Sequence, residues 1–148
     1  MDNEISMIMC LSSLIRPGSY VCDPFVGTGS ILFTASVMKA TTVGMDIDPR
    51  VLGGKEGNDV FTNFDLFSLP RPDVLRMDFS LYSRVFGSEG EGIYDAIVTD
   101  PPYGIRAGAR RVDGRQSIND RRDDHIVRTT VYEVSDVMSD LLSMAAKR

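Results

Sequence analysis

The sequence of 148 residues lacks several features that define common protein classes. It contains no tryptophan, one histidine and two cysteines, Cys10 and Cys22, which form no CxxC pair. A disulfide scaffold is therefore excluded, and a protein-bound metal is not expected. No apolar run approaches the ~20 residues that a membrane span requires. Residues 1–6 carry two acids and no base, unlike a targeting peptide, so we expect a cytoplasmic protein.

Basic residues are also fewer than acidic ones. The chain has 16 Lys and Arg against 21 Asp and Glu, which gives a net charge of −5. Bulk charge of that sign does not hold nucleic acid, so any such partner must meet a local basic patch. One patch lies within residues 104–128, where seven arginines outnumber four aspartates. These arginines are Arg106, Arg110, Arg111, Arg115, Arg121, Arg122 and Arg128.

Apolar spacing predicts helices that alternate with short strands. Helices are expected over residues 3–15, before Pro17-Gly18, over a stretch that ends near Lys39-Ala40, and after the cap Asp48-Pro49. Strands are expected at Tyr20–Cys22, Thr41–Met45, Asp73–Met77 and Tyr94–Thr99. This alternation is typical of an α/β fold with a doubly wound, mostly parallel sheet, here in strand order 3-2-1-4.

The last third of the sequence gives different signals. Residues 104–124 are rich in Arg, Asp and Gly without periodicity, which predicts a long mobile loop. Residues 129–147 have apolar residues at helical spacing, which predicts a helix. The strand Tyr94–Thr99 is apolar on both faces, which predicts burial, yet it is the last strand and should lie at the sheet edge. Its residues Ala96, Ile97 and Val98 include no charge or proline to block pairing, so we expect the chain to be poorly stable or to self-associate there.

An aspartate ends each of the four predicted strands. They are Asp23, Asp46, Asp78 and Asp100. Ligands of open α/β sheets bind beyond the carboxyl ends of the strands, so these carboxylates predict a ligand site along one edge. Any one of them could instead be a turn or cap residue, but that explanation is weak for four in order.

The turn after the first strand, DPFVGTGS at Asp23–Ser30, carries Gly27 and Gly29, where a ligand would need close approach to the backbone. It lacks the Gly-Lys-Ser/Thr ending of a phosphate-binding loop. Leu32 stands where a dinucleotide fingerprint has a third small residue. Nucleoside triphosphates and NAD are therefore disfavoured, and a nucleoside without phosphates remains.

Such a nucleoside needs hydrogen-bond acceptors for its ribose hydroxyls and its base amine. Asp46 fits the ribose, with Asp48 as a rival in the same segment, GMDID. Asp78, at the end of the third strand, fits the base amine.

The segment DPPYG, Asp100–Gly104, directly follows the fourth strand. Pro101 and Pro102 fix φ and stiffen the turn. Hydrogen bonds to the Asp100 carboxylate and the Pro101 carbonyl would turn the lone pair of a base amino group toward an electrophile, and Tyr103 can stack on the extruded base. The alternative is a proline-rich turn that only ends a strand.

Together these segments resemble the class I S-adenosylmethionine-dependent methyltransferases that modify amino groups of nucleic-acid bases. DPFVGTGS resembles their cofactor loop, GMDID their ribose-binding strand end, RMDFS around Asp78 their adenine-binding position, and DPPYG their catalytic motif. More closely, DAIVTDPPYGIRAGARR and the Gly54-Lys55, Asn58 and Asn63-Phe64 pattern resemble the eukaryotic and archaeal tRNA guanine-10 N2-methyltransferases.

The resemblance implies a Rossmann-like fold and transfer of one methyl group to the exocyclic amino nitrogen of a tRNA guanosine. In eukaryotes it also implies a small zinc-binding activator subunit. It implies catalytic roles for Asp100, Pro101, Pro102 and Tyr103, and contact with tRNA by Arg106, Arg110 and Arg111. The implied cofactor-binding residues are Asp23, Phe25, Gly27, Thr28, Gly29, Asp46, Ile47, Asp78, Phe79 and Asp100.

The resemblance also predicts the domain organisation. Residues 1–148 are expected to form part of a methyltransferase domain, with the cofactor half and the catalytic loop, without the last strands and without a THUMP module. Two other functions stay open: methylation of an adenine or cytosine amine in DNA or rRNA, and an inactive binding module. The arginines of residues 104–128 either contact tRNA phosphates or only belong to a solvated loop.

Overall fold

The computed structural model describes residues 1–53, 59–86, 92–102, 109–112 and 129–146. The helices are α1 (Asn3–Ser12), α2 (Ser30–Val37), α3 (Pro49–Gly53), α4 (Thr62–Leu66), α5 (Tyr82–Val85) and α6 (Val134–Ala145), with a 3-10 turn at Phe79–Leu81. The strands are β1 (Tyr20–Asp23), β2 (Thr41–Asp46), β3 (Asp73–Arg76), β4 (Ala96–Ile97), β5 (Ala109–Val112) and β6 (Thr129–Tyr132). Among these helices, none is long and apolar enough to cross a membrane.

Four of the strands form one parallel sheet in the order β3-β2-β1-β4, which confirms the predicted order. The central strand β1 pairs with β2 from Tyr20↔Thr41 to Asp23↔Gly44. β2 and β3 stay paired to Asp46↔Arg76. Because the strands are parallel, all four carboxyl ends lie at the same edge of the sheet.

Apolar side chains cover both faces of this sheet. On one face Cys22 and Met45 pack with Phe79 and with residues of the last helix, among them Val137. On the other face Val21 packs with Ile31, from α2. Successive residues of a strand point to opposite faces, so the buried neighbours Val21 and Cys22 belong to different clusters. This is the doubly wound arrangement that the sequence predicts.

Two helices end earlier than predicted, because residues near their ends adopt left-handed backbone angles. α1 ends at Ser12 instead of residue 15, since Leu14 has φ +55°. α2 ends at Val37 instead of Lys39-Ala40, since Lys39 has φ +65°. A helix cannot continue through a residue with positive φ.

The fourth strand is shorter and less buried than predicted. β4 comprises only Ala96–Ile97, and both residues are half-buried, whereas the prediction was a buried strand over Tyr94–Thr99. Within the described residues β4 pairs only with β1, so it lies at the sheet edge as expected. Beyond it, the amide of Val98 still donates to the carbonyl oxygen of Cys22 at 3.0 Å.

The prediction for the last third was wrong in two places. Ala109–Val112, predicted as loop, pairs antiparallel with Thr129–Tyr132, predicted as the start of a helix. The β-branched run Thr129-Thr130-Val131 favours a strand. Tyr132, at its end, is 2% exposed and packs in the core cluster with Phe79 and Val137. The helix α6 begins only at Val134, after this strand. The rest of the predicted loop lies outside the described residues.

Candidate active site

The four predicted aspartates follow the four parallel strands at the same edge of the sheet. Asp23 and Asp46 are the last residues of β1 and β2, while Asp78 and Asp100 lie just past β3 and β4. Across the sheet their order is therefore Asp78, Asp46, Asp23, Asp100. The negative charges of Asp46 and Asp100 both contribute to a raised pKa of the Asp23 carboxyl.

Asp23 is the most buried of the four, with 1% of its surface exposed. Its Oδ1 accepts hydrogen bonds from the amide of Phe25 at 3.0 Å and from the hydroxyl of Thr99 at 2.7 Å. Its Oδ2 is buried, and none of the described residues forms a hydrogen bond with it. Burial raises the pKa of Asp23 to about 7, the two hydrogen bonds oppose that rise, and the nearby carboxylates add to it.

Asp46 joins the end of β2 to the glycine turn. Its Oδ2 accepts from the amide of Gly27 at 3.1 Å, and its Oδ1 accepts from the amide of Asp48 at 2.9 Å. The amide of Val26 also donates to the carbonyl of Met45 at 3.0 Å. Asp46 is half-buried, so its carboxylate both fixes the turn and stays in part accessible.

The two glycines of the turn have different surroundings. Both have positive φ, +51° at Gly27 and +80° at Gly29. A Cβ at Gly27 would meet nothing within 4 Å, which leaves room for close approach to its backbone. A Cβ at Gly29 would lie 2.5 Å from Cγ2 of Val60, so there the glycine is needed for packing inside the protein. Thr28, between them, is exposed.

Asp78 begins the short turn after β3. Its Oδ1 accepts from the amide of Ser80 at 2.9 Å and from the hydroxyl of Ser80 at 2.7 Å. The next residue, Phe79, meets Phe25 of the glycine turn edge to face, with ring centroids 5.2 Å apart. The contact between these two rings joins the segment after β1 to the segment after β3. The end of β2 lies between these two strands in the sheet, and it is followed by the half-buried Ile47.

Part of the predicted catalytic turn is described. Asp100, Pro101 and Pro102 are half-buried and continue from β4 beyond the edge of the sheet. Tyr103, Gly104 and Arg106 lie outside the described residues, as do Gly54, Lys55 and Asn58.

Sequence reasoning missed two residues at this edge. One is Thr99, whose hydroxyl binds Asp23; its only sequence signal is its position directly before DPPYG. The other is Gly44 in β2, where a Cβ would lie 2.2 Å from Cγ2 of Val26 and 2.6 Å from Cδ1 of Leu32. A glycine within a β-branched strand is the signal that could have indicated this close approach.

Of the three arginines predicted to contact RNA, the structure describes the side chain of Arg111 alone. Its guanidinium lies 5.8 Å from the ring centroid of Tyr132, and its Nη1 lies 3.3 Å from Oδ2 of Asp136 on α6. Tyr132 in turn donates a hydrogen bond to Asp140. Arg110 is in the same strand, β5. These contacts attach the paired strands β5 and β6 to α6.

A model of the RMKL-like methyltransferase domain family matches residues 1–115. The chain belongs to this family. The resemblance to methyltransferases is thereby confirmed. TrmN from Thermus thermophilus has the same fold, with a TM-score of 0.57 and 24% identity over 70% of this chain and 29% of that chain. Coclaurine N-methyltransferase gives a TM-score of 0.50, with 14% identity over 65% of this chain and 25% of that chain. This methyltransferase domain thus has the expected Rossmann-like architecture.

Curated relatives match the methyltransferase domain over almost its full length. The tRNA (guanine(10)-N(2))-methyltransferase of Dictyostelium discoideum is 37% identical to this chain, and the match covers 99% of this chain and 30% of the length of that enzyme. The enzyme of the same name from Schizosaccharomyces pombe is 34% identical over 99% of this chain and 32% of its own. The chain therefore spans about a third of the length of these relatives.

Proposed function

We propose that this chain carries the S-adenosylmethionine site and the catalytic turn of a tRNA guanine-10 N2-methyltransferase. The observation that carries the proposal is the row of four aspartates at one sheet edge, with DPPYG after the last strand, in a methyltransferase domain. The names of the relatives, which align with 99% of this chain, support tRNA as the substrate.

The residues at the edge fit the cofactor. Gly27 leaves open space beside a backbone held by Asp46, which suits close contact with a nucleoside. Asp46 accepts hydrogen bonds from the ribose hydroxyls, and Ile47 lies beside it. The buried Oδ2 of Asp23 has no hydrogen-bond partner among the described residues, so it is an acceptor suited to a cationic amino group, which would offset the cost of its burial. Thr28 and Gly29 complete this turn.

Residues at the end of the third strand would hold the base of the cofactor. Phe25 and Phe79 form apolar walls for a purine ring, and their edge-to-face contact fixes the distance between the two turns. Asp78 accepts a hydrogen bond from the exocyclic amine of the adenine. When bound, S-adenosylmethionine supplies an electrophilic methyl group.

The catalytic turn orients the target amine. The Asp100 carboxylate and the Pro101 carbonyl accept hydrogen bonds from its two N–H groups, an arrangement that would leave the nitrogen lone pair directed toward the electrophile. Pro102 keeps the turn rigid, and Tyr103 stacks on the guanine. Positioning of this kind is a large part of catalysis when the nucleophile is weak.

Contact with tRNA phosphates comes from the arginine-rich segment. Arg106, Arg110 and Arg111 lie next to the catalytic turn in sequence. Arg111 is 44% exposed in its side chain, so its ion pair with Asp136 is worth little and can exchange for a phosphate.

We also propose partners and a location. We assign residues 1–148 to the cofactor half and catalytic loop of a methyltransferase domain that acts on tRNA in the cytoplasm. If the protein is eukaryotic, a small zinc-binding subunit activates it. The edge strand β4 is the proposed surface for self-association.

The test is methyl transfer by the full-length protein, with the activator subunit where the protein is eukaryotic, to unmodified tRNA, followed by nucleoside analysis. We expect N2-methylguanosine at position 10. Asp100→Ala should abolish transfer while calorimetric titration shows nearly unchanged affinity for S-adenosylmethionine, because Asp100 acts on the target amine. Methylated adenosine or cytidine, or near-normal turnover by Asp100→Ala, would contradict the proposal.

A further inference from the structure

The turn that begins at Asp100 is tied to the sheet by a side-chain hydrogen bond immediately before it. β4 ends at Ile97, and Val98 adds one further backbone bond to β1. Thr99 follows, and its hydroxyl donates to Oδ1 of Asp23 at 2.7 Å, across 76 positions of the sequence. This bond thus joins the start of the catalytic turn to the end of the central strand.

Asp23 is a rigid anchor for that bond. It is 1% exposed, it is paired with Gly44 of β2, and its Oδ1 also accepts from the amide of Phe25 at 3.0 Å. A bond from a hydroxyl to a buried carboxyl group is stronger than one at a surface, because water does not compete for either partner.

The turn itself has few means of being fixed by its backbone. Pro101 and Pro102 have no N–H group and therefore cannot donate backbone hydrogen bonds. Their fixed φ angles make the turn stiff, so the direction in which it leaves Thr99 determines where the Pro101 carbonyl and the Asp100 carboxylate lie. A rigid turn transmits any rotation at its base to these two acceptors.

We propose that Thr99 is a positioning residue, whose hydrogen bond to Asp23 sets the direction of the Asp100–Pro102 turn relative to the sheet edge at which the four parallel strands end. This inference rests on the proposed function for its effect on turnover. Its geometric part, that Thr99 holds the turn, stands independently of which base is methylated.

The experiment compares Thr99→Val, which keeps the shape and loses the hydroxyl, with Thr99→Ser, which keeps the hydroxyl. Thr34→Val is the matched control, because the buried Thr34 donates its hydroxyl to the carbonyl of Ser30 at 2.9 Å on α2, away from the turn. In the full-length protein we expect Thr99→Val to lower kcat by roughly 10- to 100-fold, with affinity for S-adenosylmethionine changed by less than about twofold. Thr99→Ser should restore most of kcat, and Thr34→Val should leave it unchanged.

A second measurement does not need activity. Hydrogen exchange of the peptide covering residues 98–104 should be faster in Thr99→Val than in the wild type, Thr99→Ser or Thr34→Val. Unchanged exchange, unchanged kcat, a parallel loss of cofactor affinity, or failure of Thr99→Ser to rescue would each overturn the positioning role. A wild-type enzyme that transfers no methyl to tRNA would instead overturn the proposed function, and the exchange result would still decide the role of Thr99.

Discussion

At the scale of single residues, the partners of each aspartate distinguish its chemistry from that of its neighbours. The carboxylate of Asp46 accepts hydrogen bonds from two backbone amides, that of Gly27 in the turn after β1 and that of Asp48 just past β2. Asp23 instead is buried, and in the described part of the chain one of its oxygens has two hydrogen-bond partners and the other has none. Residues of the same type at equivalent strand ends are therefore suited to different tasks.

The first prediction separates Asp46 from Asp48 as the residue that holds the ribose. Asp46→Ala should weaken binding of S-adenosylmethionine by about 1.5–3 kcal/mol, because it removes charged acceptors and also releases the Gly27 amide. Asp48→Ala should have a smaller effect. Calorimetric titration of both variants measures this, and a larger loss in Asp48→Ala would reverse the assignment within GMDID.

The second prediction concerns the pH dependence of stability. Burial raises the pKa of Asp23 from its ordinary value of 3.8 to about 7, so between these values the folded protein binds this proton more readily than the unfolded chain. The Asp23 contribution to the free energy of unfolding is therefore greatest below about pH 4. It falls as pH rises toward 7, by up to about 1.4 kcal/mol per pH unit.

Asp23→Asn removes this titration but keeps the shape of the side chain. The difference in free energy of unfolding between wild type and Asp23→Asn, measured by denaturant titration from pH 4 to pH 8, should decline across that window. Parallel curves for the two proteins would show that Asp23 is ionised throughout.

At the scale of elements, hydrophobic patterning was sufficient to predict the parallel sheet and insufficient to predict the antiparallel pair of β5 and β6. The β-branched run at Thr41–Asp46 and the aspartate after each strand predict the sheet and its edge, because both signals are local. β5 and β6 pair across residues 113–128, and Ala109–Val112 has two arginines and no strand alternation. Val131 also fits the helical spacing of Val134 and Val137, which explains why the helix was predicted to start too early.

The third prediction tests how closely the glycine turn packs on β2. Gly44→Ala should lower the free energy of unfolding by about 1–3 kcal/mol, because its Cβ would lie 2.2 Å from Val26 and 2.6 Å from Leu32. Gly53→Ala is the matched control, since a Cβ there meets nothing within 4 Å and α3 gains a better helix former. Equal stability of the two variants in thermal unfolding would show that β2 and the turn can separate.

At the scale of the whole molecule, the site depends on contacts that no local pattern contains. The bond between Asp23 and Thr99 and the ring contact between Phe25 and Phe79 each join segments that are far apart in sequence. The four aspartates could be predicted to share an edge, because parallel strands require it. Which of them is buried, and which partner each one takes, depends on side-chain packing that emerges only when the sheet is assembled.

The last prediction is that the 148-residue chain self-associates through β4. Within the described residues β4 pairs on one side only, and Ala96 and Ile97 offer neither a charge nor a proline to prevent pairing with a second copy. Sedimentation velocity should show a weight-average sedimentation coefficient that rises with protein concentration.

The rival surface is α1, where Ile5, Ile8 and Leu11 are 51%, 62% and 57% exposed. Association should therefore persist in Ile8→Lys. A monomer at all concentrations would contradict the prediction, and loss of association in Ile8→Lys would assign it to the helix instead of the sheet edge.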